Sequence, residues 1–102
     1  MSYNLLLNPK AKIDVVEAAE WYEEQKKGLG YEFFLRFDDA LELLKDKPYI
    51  CQKVYRFFRK ALLRKFPYAI FYHIDEQAKE IEVIGVFSTY RDPEIWKQRI
   101  KL

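Results

Sequence analysis

The sequence predicts an α+β fold: an N-terminal strand, an antiparallel α-helical hairpin packed on an antiparallel β-sheet, and a short C-terminal helix. Three observations predict it. Two apolar stripes of helical spacing flank Gly28-Leu29-Gly30, three runs of β-branched and aromatic residues fill the second half, and an Asx-Pro pair occurs twice, at Asn8-Pro9 and Asp92-Pro93. At 102 residues the chain is sized for one hydrophobic core, so residues 1–102 are read as a single domain. Half of the residues are hydrophobic and 18% are aromatic, enough to build that core although 33% are charged.

Tyr3 to Leu7 is a short apolar run that reads as a strand. Asn8 then offers a cap and Pro9 fits the first helical position. From Pro9 to about Lys26, Ala11, Val15, Ala18, Ala19 and Tyr22 recur at helical spacing while Lys12, Glu17, Glu20 and Glu24 take the other sides. Gly28 marks the stop. After the tight connection, Phe33, Phe37, Ala40, Leu41 and Leu44 trace a second helix that Pro48 ends. So short a loop makes the two helices antiparallel neighbours, and Val15, Ala19, Tyr22, Phe33, Phe37, Leu41 and Leu44 are expected between the hairpin and a sheet.

Phe57 to Phe66, Ala69 to Ile74 and Ile81 to Phe87 supply that sheet as an antiparallel meander, with Pro67 and Asp75 to Lys79 as turns. Asp92-Pro93 opens the last helix, which contains Ile95, Trp96, Arg99 and Ile100. The strand Ala69 to Ile74 is apolar on both faces, whereas a sheet with helices on one side should be polar on the other. A partner, a curled sheet or the C-terminal helix would cover that second face.

Composition also limits the function. Cys51 is the single cysteine, which excludes an internal disulfide framework and a thiolate metal cluster and fits a reducing, cytoplasmic setting. No basic leader followed by an apolar run opens the chain, and no apolar stretch is long enough to span a membrane, so neither secretion nor membrane insertion is expected. Net charge is only +2, but it is unevenly spread. From Asp14 to Asp46 acids outnumber bases ten to four; from Lys47 to Ile74 there are Lys47, Lys53, Arg56, Arg59, Lys60, Arg64 and Lys65 and no acid. Such a basic half attracts a polyanion, either nucleic acid or an acidic protein segment; equally, it describes a solvated strand pair whose lysines discourage edge pairing.

Several kinds of active site are absent. There is no Gly-rich phosphate loop and no Cys-x-x-Cys, and His73 has no second histidine with which to share a metal. A lone histidine inside an aromatic strand, like a lone half-buried cysteine, is more often structural than catalytic. Asp38-Asp39 point to adjacent helix faces and do not oppose each other. No metal or other cofactor is expected. What remains is Arg56, Arg59, Arg64, Tyr68, Tyr90 and Arg91, a set suited to phosphate and base contacts and equally to a protein interface.

Whole segments resemble a known family. Trp21-Tyr22-Glu23, Gly28-Leu29-Gly30 followed by Phe33 and Phe34, the run from Phe58 through Arg59, Arg64, Phe66-Pro67-Tyr68 to Tyr72, and Arg91-Asp92-Pro93 with Trp96 and Arg99 are similar to the RelE/ParE toxin superfamily, in order, over nearly the whole chain. The resemblance implies the toxin of a type II toxin–antitoxin pair, wrapped and neutralised by a cognate antitoxin in a hetero-oligomer. Two activities belong to such toxins: ribosome-associated mRNA cleavage, and inhibition of DNA gyrase. A third possibility is an antitoxin-binding module without toxicity.

For cleavage, which needs no metal, the resemblance implies Tyr90 as acid or base with Arg59, Arg64 and Arg91 holding phosphate. For target binding, interface chemistry singles out Arg59, Arg91, Trp96 and Arg99, since arginine and tryptophan anchor protein contacts, with packing of Trp96 back onto the sheet as the alternative role. Lys53, Arg56, Lys60 and Phe71 would meet the antitoxin. Many relatives carry a histidine three residues before the Arg-Asp-Pro, where this chain has Ser88, a poor proton carrier. That departure, with Trp-Tyr-x-x-Gln before Gly-Leu-Gly, places the chain nearer ParE.

Overall fold

The computed structural model of the chain describes residues 2–91 and 94–100, without the side chains at 96 and 100. The elements are β1 (Asn4–Leu7), α1 (Pro9–Gln25), α2 (Leu29–Asp46), β2 (Lys53–Tyr55), β3 (Phe58–Leu62), β4 (Tyr68–Asp75), β5 (Glu80–Ser88) and α3 (Glu94–Ile100). The expected order of strand, helix, helix, strands and helix is the observed one. Asn8 caps α1 by accepting the Lys10 N–H at 2.9 Å, and Pro9 occupies the first turn. The second Asx-Pro start, at Asp92-Pro93, lies outside the described residues.

The hairpin turns on two glycines and one carboxylate. Gly28 sits at φ 91°, in the left-handed region that suits glycine. Glu23 reaches across to accept the N–H groups of Gly28 at 2.9 Å and Gly30 at 3.0 Å, placing negative charge on the otherwise unpaired donors at the start of α2. Those bonds, that of Gly28 first, hold its carboxyl below the usual range. At Gly30 a Cβ would lie 2.5 Å from the Ala19 carbonyl oxygen, so the two helices cross here at a distance that only glycine permits.

The sheet has five strands in the order β1-β5-β4-β3-β2. Strands β2 to β5 are antiparallel, but β1 runs parallel to β5, with Leu5 opposite Ile81. The sheet is therefore mixed, because the chain leaves β1 through the helical hairpin, enters the sheet at the far edge and meanders back. The expected strand Phe57 to Phe66 is shorter, and β2 is an addition. A turn at Arg56-Phe57, with Arg56 at φ 52°, joins β2 to β3, and β3 stops at Leu62 before Lys65 at φ 75°.

Two clusters of buried side chains pack the two faces of the sheet. On the hairpin side Ala11, Val15, Ala19, Phe33, Phe37 and Leu44 meet Ala61, Ile70, Tyr72, Ile81, Val83 and Val86, with Tyr22 and Leu41 partly buried at the margin. All seven residues expected between hairpin and sheet belong to this cluster or pack against it. On the other side Phe58, Ala69, Phe71, Ile84 and Phe87 are buried with Tyr55 and with Ile95 of α3. Of the three ways to cover the second face of β4, the structure uses the C-terminal helix. Register slips between Phe71, opposite Gly85, and Tyr72, opposite Val83, so Ile84 is an extra residue on β5 and the strand bends there.

Candidate functional site

Where β5 ends, Asp14, Glu17 and Trp21 of α1 face Tyr68, Ser88 and Arg91 across a cleft of about 210 Å³. Helical periodicity sets the first three on one side of α1, and the pairing of Tyr68 with Ser88 sets the strand residues beside them. The turn after Ser88 is pinned by hydrogen bonds. Thr89 N–H donates to the Pro67 carbonyl at 2.8 Å, Arg91 N–H to the Ser88 carbonyl at 3.2 Å, and Tyr90 N–H to Ser88 Oγ at 3.2 Å. Burial raises the Tyr68 phenol above its ordinary value, with the Arg91 charge pulling the other way.

Asp14 and Arg99 close the edge of the sheet next to this cleft. β1 pairs with β5 only as far as Val83, leaving the backbone beyond without a strand partner on that side. Asp14 accepts the Val86 N–H at 3.0 Å. The Arg99 guanidinium donates to both Asp14 oxygens, at 3.0 and 3.2 Å, and to the Ile84 carbonyl at 3.2 Å. It lies 4.8 Å from the centre of the Phe87 ring. At Gly85 a Cβ would meet that ring at 2.5 Å. Two side chains thus satisfy the open edge and fasten α3 to it.

The residues expected to act together are dispersed. Arg59 is on β3 opposite Tyr72, where it donates to the Cys51 carbonyl and lies 5.0 Å from the Tyr49 ring centre, tying down the segment before β2. Arg64 is exposed in the β3–β4 turn, and Tyr90 is 86% exposed. Of Arg59, Arg64, Tyr90 and Arg91, Arg91 alone is among the residues lining the cleft, beside Tyr68. Lys53, Arg56 and Lys60 are exposed on β2, its turn and β3. Phe71, opposite Lys60, is 3% exposed and is packed under the second core instead of facing a partner, because α3 covers its side of β4. Arg99, expected at a target surface, is held by Asp14. The Trp96 side chain lies outside the described residues.

Two features escaped the sequence reading. One is the part played by Asp14, which reads as an ordinary polar residue of an amphipathic helix. The other is the partner of His73, whose Nε2 lies 2.9 Å from Glu82 Oε1 on the neighbouring strand, with Phe57 and Phe58 rings edge-on to the imidazole. Asn8 donates to the other Glu82 oxygen at 3.5 Å. Among the described residues no group of three or more His, Cys, Asp or Glu is placed to hold a metal ion, and no helix is long and apolar enough to cross a membrane.

Three solved structures share this architecture. A doubly mutated E. coli RelE toxin in the free state superposes with a TM-score of 0.71 at 19% identity, covering 99% of this chain and 97% of that one. The chromosomal ParDE toxin–antitoxin system of P. aeruginosa matches with a TM-score of 0.63 at 15% identity, over 85% of this chain and 96% of that one. The RelBE2 toxin–antitoxin complex of Mycobacterium tuberculosis matches with a TM-score of 0.61 at 14% identity, over 86% and 99%. At these identities the likeness shows a common fold. No curated protein matches the chain by sequence. The family model described as the ParE toxin of the type II toxin–antitoxin system parDE matches residues 5–93, most of the chain. The chain belongs to the ParE toxin family of type II toxin–antitoxin systems.

Proposed function

We propose that this toxin acts by binding a macromolecular target, DNA gyrase in the first instance, and not by cutting mRNA. The observation that supports this reading is the separation of the groups that cleavage would need. Cleavage requires a base for the 2′-hydroxyl, an acid for the leaving oxygen and cations around one phosphate. Arg59 lies opposite Tyr72, whereas the cleft begins opposite Tyr68. Four residues of strand separate them, roughly 13 Å at about 3.3 Å per residue. Arg59 is further engaged by the Cys51 carbonyl, Tyr90 projects into solvent, and His73 sits against Glu82 among the residues of the second core.

Arg91 beside the exposed Trp21 is better suited to a protein contact, in which arginine and aromatic residues act as anchors. Neutralisation falls to a cognate antitoxin, in keeping with the toxin–antitoxin complexes among the structural neighbours. An acidic segment laid over Lys53, Arg56 and Lys60 would meet complementary charge, and the exposed Leu62 adjoins it.

The test pairs two assays on the purified chain: inhibition of gyrase supercoiling, and cleavage of mRNA on programmed ribosomes. Inhibition of supercoiling that Arg91→Glu removes and Tyr90→Phe leaves intact is the expected result. Cleavage abolished by Tyr90→Phe would replace this reading with the nuclease one. A chain harmless in a bacterial host would leave an antitoxin-binding module.

A further inference from the structure

On the face of the hairpin turned away from the sheet, the close crossing at Gly30 and Ala19 leaves a groove of about 490 Å³. Its walls are Val16, Tyr31 and Phe34, all exposed, and Glu20 stands at its rim. Glu24 follows Glu20 one turn further along α1, and neither has an ion-pair partner among the described residues. The groove is therefore apolar inside and acidic outside.

The same chain carries the complementary shape and charge. The turn between β2 and β3 puts Arg56 and Phe57 at the tip of a narrow hairpin, between Val54 on one strand and Lys60 on the other. Phe57 is 57% exposed, yet its ring is already ordered: it stacks on Phe58 with centroids 4.7 Å apart and meets His73 edge-on at 5.7 Å. A pre-ordered aromatic ring loses little conformational freedom on docking. No acid lies between Lys47 and Ile74, so the whole tip is basic.

We propose that the Arg56-Phe57 tip of one copy docks into the Val16–Tyr31–Phe34 groove of a second copy, with Phe57 in the groove and Arg56 against Glu20. The charges decide between this and a symmetric contact: groove on groove would oppose like acids, and tip on tip like bases. Tip and groove are different patches, so the contact is head-to-tail, and each added copy leaves one tip and one groove free.

Sedimentation velocity on the purified chain tests this across protein concentration, at low and high salt. Stepwise growth beyond the dimer with concentration, weakened by salt, is expected. Glu20→Lys, and separately Arg56→Glu with Phe57→Ser, should each weaken association roughly ten-fold or more. All three positions are exposed, and unchanged thermal melting will verify that the variants fold. The decisive arm is mixing. The Glu20→Lys chain keeps its tip and the Arg56→Glu/Phe57→Ser chain keeps its groove, so the mixture should recover association that neither variant shows alone. A chain that stays monomeric at every concentration overturns the proposal. So does association that the substitutions leave unchanged, or a pair of variants that fail to complement each other.

Discussion

Replacing Asp14 by alanine should loosen α3 from the open edge of β5. The magnitude follows from what its carboxylate holds. It is the acceptor for the Val86 N–H at 3.0 Å and for two Arg99 bonds at 3.0 and 3.2 Å, with side-chain exposures of 22% for Arg99 and 13% for Asp14. An amide left unpaired at a largely buried position costs about 1–3 kcal/mol. Removing one partner of a fully buried ion pair costs about 3–5 kcal/mol, and the partial exposure of Arg99 brings its share down to about 2 kcal/mol. The sum, taking the low end for the amide, is about 3 kcal/mol. For a domain of this size each kcal/mol moves the melting temperature by about 4–8 °C, so a drop of about 15 °C is expected. Calorimetry on Asp14→Ala, Arg99→Met and the double variant measures it, with a coupling energy of about 2 kcal/mol between the two sites. A melting temperature within about 3 °C of the parent, or a coupling near zero, would refute the assignment of Asp14 and Arg99 as the clasp of α3.

Phe37, 4% exposed in the first core, should lose about 3–5 kcal/mol of stability on truncation to alanine, measured by urea unfolding. Gly30→Ala brings a Cβ to within 2.5 Å of the Ala19 carbonyl, so the hairpin must open and the domain should lose about 1–3 kcal/mol in the same assay. Glu76 accepts from the Tyr3 hydroxyl at 2.8 Å and the Tyr49 hydroxyl at 2.5 Å and pairs with Lys79, and these bonds, that to Lys79 first, lower its carboxyl to about 2. Its folded value lies below the unfolded one, so its contribution is complete above the ordinary carboxyl range and lost as pH falls through about 2. The melting-temperature gap between the parent and Glu76→Gln should therefore hold from neutral pH to about pH 5 and close on further acidification.

Local chemistry made the helices legible. Asn8-Pro9 and the glycine turn are signals of backbone geometry, and the stripe through Val15, Ala19, Phe33, Phe37 and Leu44 is a signal of burial; both act within a few residues. Strand β2 was not legible because three residues, Lys53 to Tyr55, carry no periodic pattern, and they are a strand only through pairing with β3. The parallel placement of β1 beside β5 was hidden for the same reason. An apolar run such as Tyr3 to Leu7 specifies a strand, while its neighbour is chosen by where the rest of the chain returns.

The site was less legible than the fold, and the arginines show why. Sequence treats every arginine as a free cation, but the structure divides them. Arg59 is held by a carbonyl and a tyrosine ring, and Arg99 by a carboxylate 85 positions away, a pairing that exists only because β1 stops at Val83 and leaves an edge to be satisfied. Arg56, Arg64 and Arg91 remain at the surface. The charge pattern therefore overstated the density of cations available to a phosphate and understated how far apart they lie. Arg56 stands at a hairpin tip, Arg64 in the β3–β4 turn and Arg91 beside the α1 cleft. Three separate cations are poorly arranged to stabilise one transition state, whereas each, beside an exposed aromatic or apolar neighbour such as Phe57, Leu62 or Trp21, is suited to anchor a protein contact.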